Sequence, residues 1–286
     1  MTLLELVERV GARLDQAGVC FGHGTTNAFD EAAWLVLWRL GLPLDALDDH
    51  AARTVTEADC AGVEQLAEQR IATRRPAAYL TGEAWLQGVP FHVDERVIVP
   101  RSLIAEPLVD GTLDAWLSLR THDVLDLCTG NGSLAVLAAM AWPDVQVTAT
   151  DLSAEALEVA RRNVQRHGLQ HRITLRQGDG LAAAPGRFDL ILCNPPYVNR
   201  ASMQRLPPEY RAEPALALDG GTDGMDFVRR LFAGLPAHLT AHGVLVLEIG
   251  HERAHFEAAF PRLPVVWLPT SAGDDQVLLV ESQSLP

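Results

Sequence analysis

From about residue 119 to the C-terminus, short apolar runs alternate with helix-like segments, and this alternation admits few folds. Runs of this kind separated by amphipathic stretches form βαβ units, whose strands pair in parallel under covering helices. The spacing predicts strands at "VLDLCT" (124–129), "QVTATD" (146–151), "ITLRQGD" (173–179), "FDLILCN" (188–194), "GVLVLEIG" (243–250), "VVWLP" (265–269) and "QVLLVE" (276–281). A helix over 153–167 joins the second to the third, with Ser153 placed to cap its start and Gly168 to close its end. The last two strands are separated only by "TSAGDD", too short for a crossover helix, so they must pair antiparallel. The expected fold class is α/β: a seven-stranded, mostly parallel sheet whose last strand is reversed.

The first part of the chain has a different period. Apolar residues recur at helical spacing over 2–17 and over 28–40, the second helix having Asn27 as N-cap, Gly41 as C-cap and Pro43 beyond. A third helix starts at Thr56, three residues before Asp59 in a pattern resembling a capping box, and stops ahead of Pro76. Next, "AWLQGVPFHVDERVIVPRS" (84–102) alternates around two breakers and predicts a β-hairpin ending in Pro100-Arg101-Ser102. The expected division is a helical substrate-recognition domain (1–82), a hairpin linker (83–102) and the α/β domain (103–286).

Charge narrows the partners. The net charge is -14, all 23 basic residues are arginine, and acids outnumber arginines on both sides of Ser118. A bare nucleic acid needs clustered cations to neutralise phosphates, which this balance does not offer, and no direct DNA binding is expected. Acidity suits a basic protein partner through steering, and solubility alone also accounts for it. The longest apolar stretches, such as "LAVLAAMAW" (134–142), fall short of the roughly 20 residues that cross a bilayer. The N-terminus mixes acids and arginines among its leucines, unlike a signal peptide, so a soluble cytoplasmic protein is expected. Cys20, Cys60, Cys128 and Cys193 form no C-x-x-C pair and are expected as buried reduced thiols.

The first strand of the α/β part runs into "LDLCTGNGSLA". Asp126 lies on the strand, and Cys128, Thr129, Gly130, Asn131 and Gly132 form a turn that opens a helix. In an open α/β sheet such a turn lies at the carboxyl edge, where a nucleotide-like ligand approaches the backbone. A tight structural turn explains the glycines equally well when they are taken alone. Asp151 adds weight: it ends the second strand 21 residues after Gly130, placed for a ribose diol, with Leu152 next to it. Asp179 and Gly180 end the third strand toward the adenine end. A pyrophosphate disfavours negative charge beneath the turn, whereas the sulfonium and ammonium of S-adenosylmethionine are compatible with Asp126. The expected cofactor is therefore S-adenosylmethionine rather than a dinucleotide.

Asn194-Pro195-Pro196-Tyr197 leaves the fourth strand, which lies beside the first at the switch point, and so faces the same crevice. A bare Asn-Pro step is usually a turn. Here the chemistry accounts for each residue type. An amide nitrogen is a poor nucleophile because its lone pair is delocalised. Its two N–H groups can donate to the Asn194 side-chain oxygen and the Pro195 carbonyl, which holds the lone pair toward a methyl group at about 3 Å. Pro196 stiffens the loop, and Tyr197 is expected to stack on the planar substrate group. Asn194 also borders the cofactor, and no metal is required.

These motifs, together with "RRPAAYLTGEAWLQGVPFHVDERVIVPRS", "LALDGGTDGMDFVRRL" and "LVLEIG", span nearly the whole chain, which resembles the N5-glutamine methyltransferases. The resemblance implies a Rossmann-like class I methyltransferase fold, N-terminal helices that recognise a protein, and an Asn-Pro-Pro-Tyr loop that presents the glutamine. Members that act on peptide release factors typically read Pro-Arg-Pro-Glu-Thr-Glu after the hairpin. This chain has "VPRSLIAE", with Ser102 and Leu103 there and Glu106 retained. Its "FGHGTTNAFDEAAWLVLWRLGLP" (21–43) is similar to the branch that methylates ribosomal protein L-three, the third large-subunit protein. That protein, free or in an assembling large subunit, is the expected partner, with release factors as the alternative.

Two other functions compete. Adenine and cytosine amino-methyltransferases use a related loop on a flipped base, a reading opposed by the acidic charge and the lack of lysine. A non-catalytic, cofactor-stabilised module on an assembling ribosomal subunit would not need an intact Asn-Pro-Pro-Tyr. "HERAH" (251–255) matches a zinc-protease pattern, but His251 directly follows a strand end, so helix entry with solvated polar residues is the expectation. His23 in "FGHGTTN" is expected to be a loop hydrogen-bonder.

Overall fold

A computed structural model describes residues 1–118 and 120–285. Its N-terminal part is built on three longer helices, Leu3–Gln16, Ala28–Arg39 and Glu57–Thr73. Thr2 and Glu5 form a full capping box on the first, and Asn27 accepts from the Asp30 N–H on the second. On the third, Thr56 accepts from the Asp59 N–H, while its hydroxyl donates to the Asp59 carboxylate, so the box is only half made. Gly41 stands one residue past the cap of the second helix, Leu40, in the left-handed conformation. Leu3, Leu6, Val10 and Leu14 share a core with Leu35, Leu37, Val63 and Ala67.

The hairpin is shorter than its alternation suggests: β1 (Glu83–Leu86) pairs antiparallel with β2 (Val89–His92), and the ladder ends there. The cause is local. The Asp94 carboxylate accepts from the Arg96 N–H and guanidinium, and the Val97 N–H closes on the Asp94 carbonyl, so the chain turns away. Val93, Val97 and Val99 alternate because they bury into the helical core.

The remaining strands are β3 (Asp123–Leu127), β4 (Gln146–Asp151), β5 (Ile173–Gln177), β6 (Phe188–Cys193), β7 (Leu239–Glu248), β8 (Val266–Thr270) and β9 (Gly273–Glu281). They lie in the order β5-β4-β3-β6-β7-β9-β8, with β9 inserted antiparallel between β7 and β8. All other pairings are parallel. Strand order reverses between β3 and β6, which defines the switch point. Both faces are buried: Val124, Leu190, Val244 and Val277 pack on one side, and Leu125, Ile191, Leu245 and Leu278 on the other.

Both apolar and charged contacts join the helical part to the α/β part. Ala156 and Val159 of the Ala154–Arg166 helix belong to the N-terminal core. Arg70 and Arg74 reach Glu209, in the segment that follows β6. Only Cys193 of the four cysteines is fully buried; Cys20, Cys60 and Cys128 keep part of their surface in water, which corrects the expectation of four buried thiols. Among the described residues, no helix is long and apolar enough to cross a membrane.

Candidate active site

The carboxyl ends of β3, β4 and β6 open on a cavity of about 490 Å³, within the usual small-molecule range. The turn after β3 forms its floor. Cys128 and Gly130 both have positive φ, at 58° and 56°, which turns the backbone toward the cavity. Gly132 serves packing: a Cβ there would stand 3.2 Å from the Ala160 Cβ, so its hydrogen lets the Ser133–Ala141 and Ala154–Arg166 helices approach. Asn131 is buried away from the cavity, its side-chain oxygen accepting from the Ser133 N–H and its carbonyl from Asn163.

Asp126 is fully buried beneath the turn. One carboxylate oxygen accepts from the Thr129 hydroxyl and the Ala135 N–H, and the other, Oδ1, has no partner. Burial pushes its pKa up to about 7, against the pull of those two hydrogen bonds. An unpartnered buried carboxylate oxygen next to a nucleotide-sized cleft fits a cationic ligand, as S-adenosylmethionine is.

Asp151 lines the cavity at the end of β4, its oxygens fixed by the Gly130 and Ser153 N–H groups with lone pairs left for a diol. Burial raises its pKa as well. Beside it, Leu152 is 51% exposed, an apolar side chain open to a planar ring. Asp179 and Gly180 line the far wall, Asp179 lying 3.5 Å from Arg230. Sequence reasoning missed the roof: Arg96 and Ile98 from beyond the hairpin, Leu216, and Phe227 and Arg230 from the Asp226–His238 helix. "LALDGGTDGMDFVRRL" carried part of this signal without showing where it would fold.

Asn194 and Pro196 line the cavity, and Pro195 is buried behind them. Among the described residues, neither the Asn194 carboxamide nor the Pro195 carbonyl is engaged by another group. Tyr197 does not line the cavity. Its hydroxyl donates to Glu248 at 3.1 Å, and its ring lies on Gly250, where a Cβ would stand 2.5 Å from Cε2. Gly220 and Gly224 approach its backbone equally closely. Burial raises its pKa well above the usual phenol range, and the Glu248 charge adds to this. Val198 is then tied to Leu218 and Gly220 through backbone bonds.

In "HERAH", Glu252 is buried and accepts from the Asn199 side chain at 2.6 Å and lies 2.5 Å from His255 Nδ1, so it anchors the loop beyond Tyr197. His23 is buried against the Tyr210 ring, with Nε2 3.6 Å from Glu213. It packs inside the joint rather than bonding along its own loop.

Comparison with known proteins agrees with this architecture. The family described as Methyltransferase small domain matches residues 110–206. The ribosomal protein uL3 glutamine methyltransferase of Bordetella pertussis is 56% identical, over 99% of this chain and 96% of that protein. Its namesake in Burkholderia pseudomallei is 50% identical, over 100% of this chain and 96% of that protein. In the fold alone, a methyltransferase from Pyrococcus furiosus aligns with a TM-score of 0.50 at 22% identity, over 69% of this chain and 90% of that one. The hMettl16 catalytic domain aligns at 0.51 and 15% identity, over 82% and 83%. The sheet with its reversed strand is thus the Rossmann-like fold of class I methyltransferases. With 50–56% identity over nearly its whole length, the chain belongs to the ribosomal protein uL3 glutamine methyltransferase family.

Proposed function

We propose that this chain transfers a methyl group from S-adenosylmethionine to the side-chain amide nitrogen of a glutamine in uL3, the third large-subunit protein. One observation carries this: the unengaged carboxamide of Asn194 stands on the wall of a cavity, with the free Pro195 carbonyl directly behind it, and the unpartnered carboxylate oxygen of Asp126 lies buried under the turn that forms the floor. Asp126 and Asp151, with Cys128, Gly130, Leu152, Asp179 and Gly180, would hold the cofactor, which when bound supplies a methyl group on a good leaving sulfur. Thr129 acts from beneath by orienting Asp126.

The Asn194 side-chain oxygen and the Pro195 carbonyl accept the two N–H groups of the glutamine amide and fix its nitrogen. Their preorganisation means that little rearrangement is needed in the transition state. Pro196 keeps the acceptors in register. Tyr197, caged by glycines, holds the loop's exit, a more structural part than stacking alone.

The uL3 substrate is carried over from the names of the relatives. An acidic chain complements a basic ribosomal protein, and the helical part over 1–82 with the 83–102 connection would frame its approach, in the cytoplasm. The test is purified protein with labelled S-adenosylmethionine and, separately, uL3 and a release factor, followed by mass spectrometry of the modified peptide. Label on a uL3 glutamine is the expected result. Label on the release factor alone would replace the substrate, and label on neither would remove the activity.

A further inference from the structure

Glu248 is an anomaly at the end of β7. It is 4% exposed at a strand end where its neighbours Leu247 and Ile249 are apolar, and among the described residues no cation pairs with it. A buried carboxylate is costly unless every lone pair is used. Here the lone pairs serve two different parts of the chain. Oε2 accepts from the Ser102 hydroxyl at 2.6 Å and the Leu103 N–H at 2.9 Å, where the hairpin segment enters the α/β part. Oε1 accepts from the Tyr197 hydroxyl.

We infer that Glu248 is a positioning residue for the transfer, setting the Tyr197 ring and the Ser102-Leu103 entry with one carboxylate and thereby fixing Asn194 and Pro195. The mechanical link is short and stiff. β6 ends at Cys193, two prolines follow Asn194, and the next side-chain anchors are Tyr197 on Glu248 and Asn199 on Glu252. The acceptor pair is therefore held between a sheet strand and two carboxylates, one at the end of β7 and one at the entry of the helix that follows it. Gly250 leaves the ring room to reach Glu248, since a Cβ there would stand 2.5 Å from Tyr197 Cε2. A shift of about 1 Å at the reacting nitrogen is enough to cost on the order of 100-fold in rate.

This inference rests on the proposed glutamine methylation, and its test separates the two. Glu248→Gln keeps an oxygen for Ser102 and Leu103 but replaces the charged acceptor facing Tyr197 with an amide N–H, so that the bond is reversed and loses its charge assistance, and Tyr197→Phe removes that bond from the other side. Each single variant is expected to lower kcat by about 10-fold or more, with KM for S-adenosylmethionine and the melting temperature close to wild type. The double variant should fall no further than the worse single one, because both act on the same charge-assisted bond. Losses that multiply in the double variant, or that fall on KM, would overturn the role of Glu248 while leaving the activity intact. Should Glu248→Gln fail to fold, Tyr197→Phe alone decides: unchanged kcat refutes the inference. Wild-type protein that methylates no glutamine would instead defeat the functional proposal on which it rests.

Discussion

Arg101 and Glu213, 112 positions apart, meet in a two-pronged ion pair at 2.5 and 2.7 Å that closes the joint between the hairpin segment and the loop beyond the candidate catalytic strand. The same carboxylate accepts from the Val99 N–H at 2.9 Å. Burial alone would raise the Glu213 pKa, but Arg101 and His23 outweigh it and bring it down to about 2. Replacing Arg101 with methionine leaves that charge buried without its partner, and should cost about 3–5 kcal/mol in urea unfolding. The sign with pH follows: Glu213 stabilises the fold above its ordinary value of 4.5, and this contribution is lost as pH falls through about 2.

Removing the Asn194 carboxamide tests the chemistry most directly. Asn194→Ala should reduce kcat by about 100-fold or more, as for the loss of one preorganised transition-state hydrogen bond. Cofactor affinity, measured by titration calorimetry, should change far less. An unchanged turnover would end the assignment of this loop to catalysis.

Asp126 makes cofactor binding pH-dependent. With its pKa pushed up to about 7, it holds a proton in the free protein below that pH, and a cationic ligand favours the ionised form. Affinity for S-adenosylmethionine should therefore rise with pH up to about 7 and flatten above it, with a proton released on binding at lower pH. Calorimetry in buffers of different ionisation enthalpy reads that proton, and Asp126→Asn should abolish its release. The stability of the free protein runs the other way. The Asp126 contribution is complete below 3.8 and is lost as pH rises through about 7.

Gly250 has a φ of 53°, and its missing Cβ is the space in which the Tyr197 ring lies. Gly250→Ala combines left-handed strain with a clash against an aromatic ring, and should cost about 1–3 kcal/mol in thermal or urea unfolding. Methyl transfer should fall more steeply than cofactor binding, because the ring and not the cavity floor is displaced.

Much of the site was legible because its parts are local. A glycine turn after a strand, an acid at the end of the next strand and Asn-Pro-Pro-Tyr at the end of a third each declare themselves within a few residues. The hairpin was over-read for the same reason: Val93, Val97 and Val99 alternate like a strand, yet their period reports burial into the helical core, and Asp94 ends the pairing. Glu252 was hidden inside a motif that suggests metal, although its partners are Asn199 and His255.

By itself the sequence determined the period of every main element, the order in which strands and helices alternate, and the reversed last strand, since six residues between two strands leave no other connection. It also pointed to the chemical kind of the proposed site, because an amide acceptor beside two prolines can be read without coordinates. Only the tertiary structure decided which distant charges meet. Glu248 with Ser102 and Tyr197, and Glu213 with Arg101, are pairings over 51 to 146 positions. No local period encodes such contacts. They arise when packing brings strand ends and loops to one edge of the sheet, where a buried carboxylate must find donors wherever the fold supplies them.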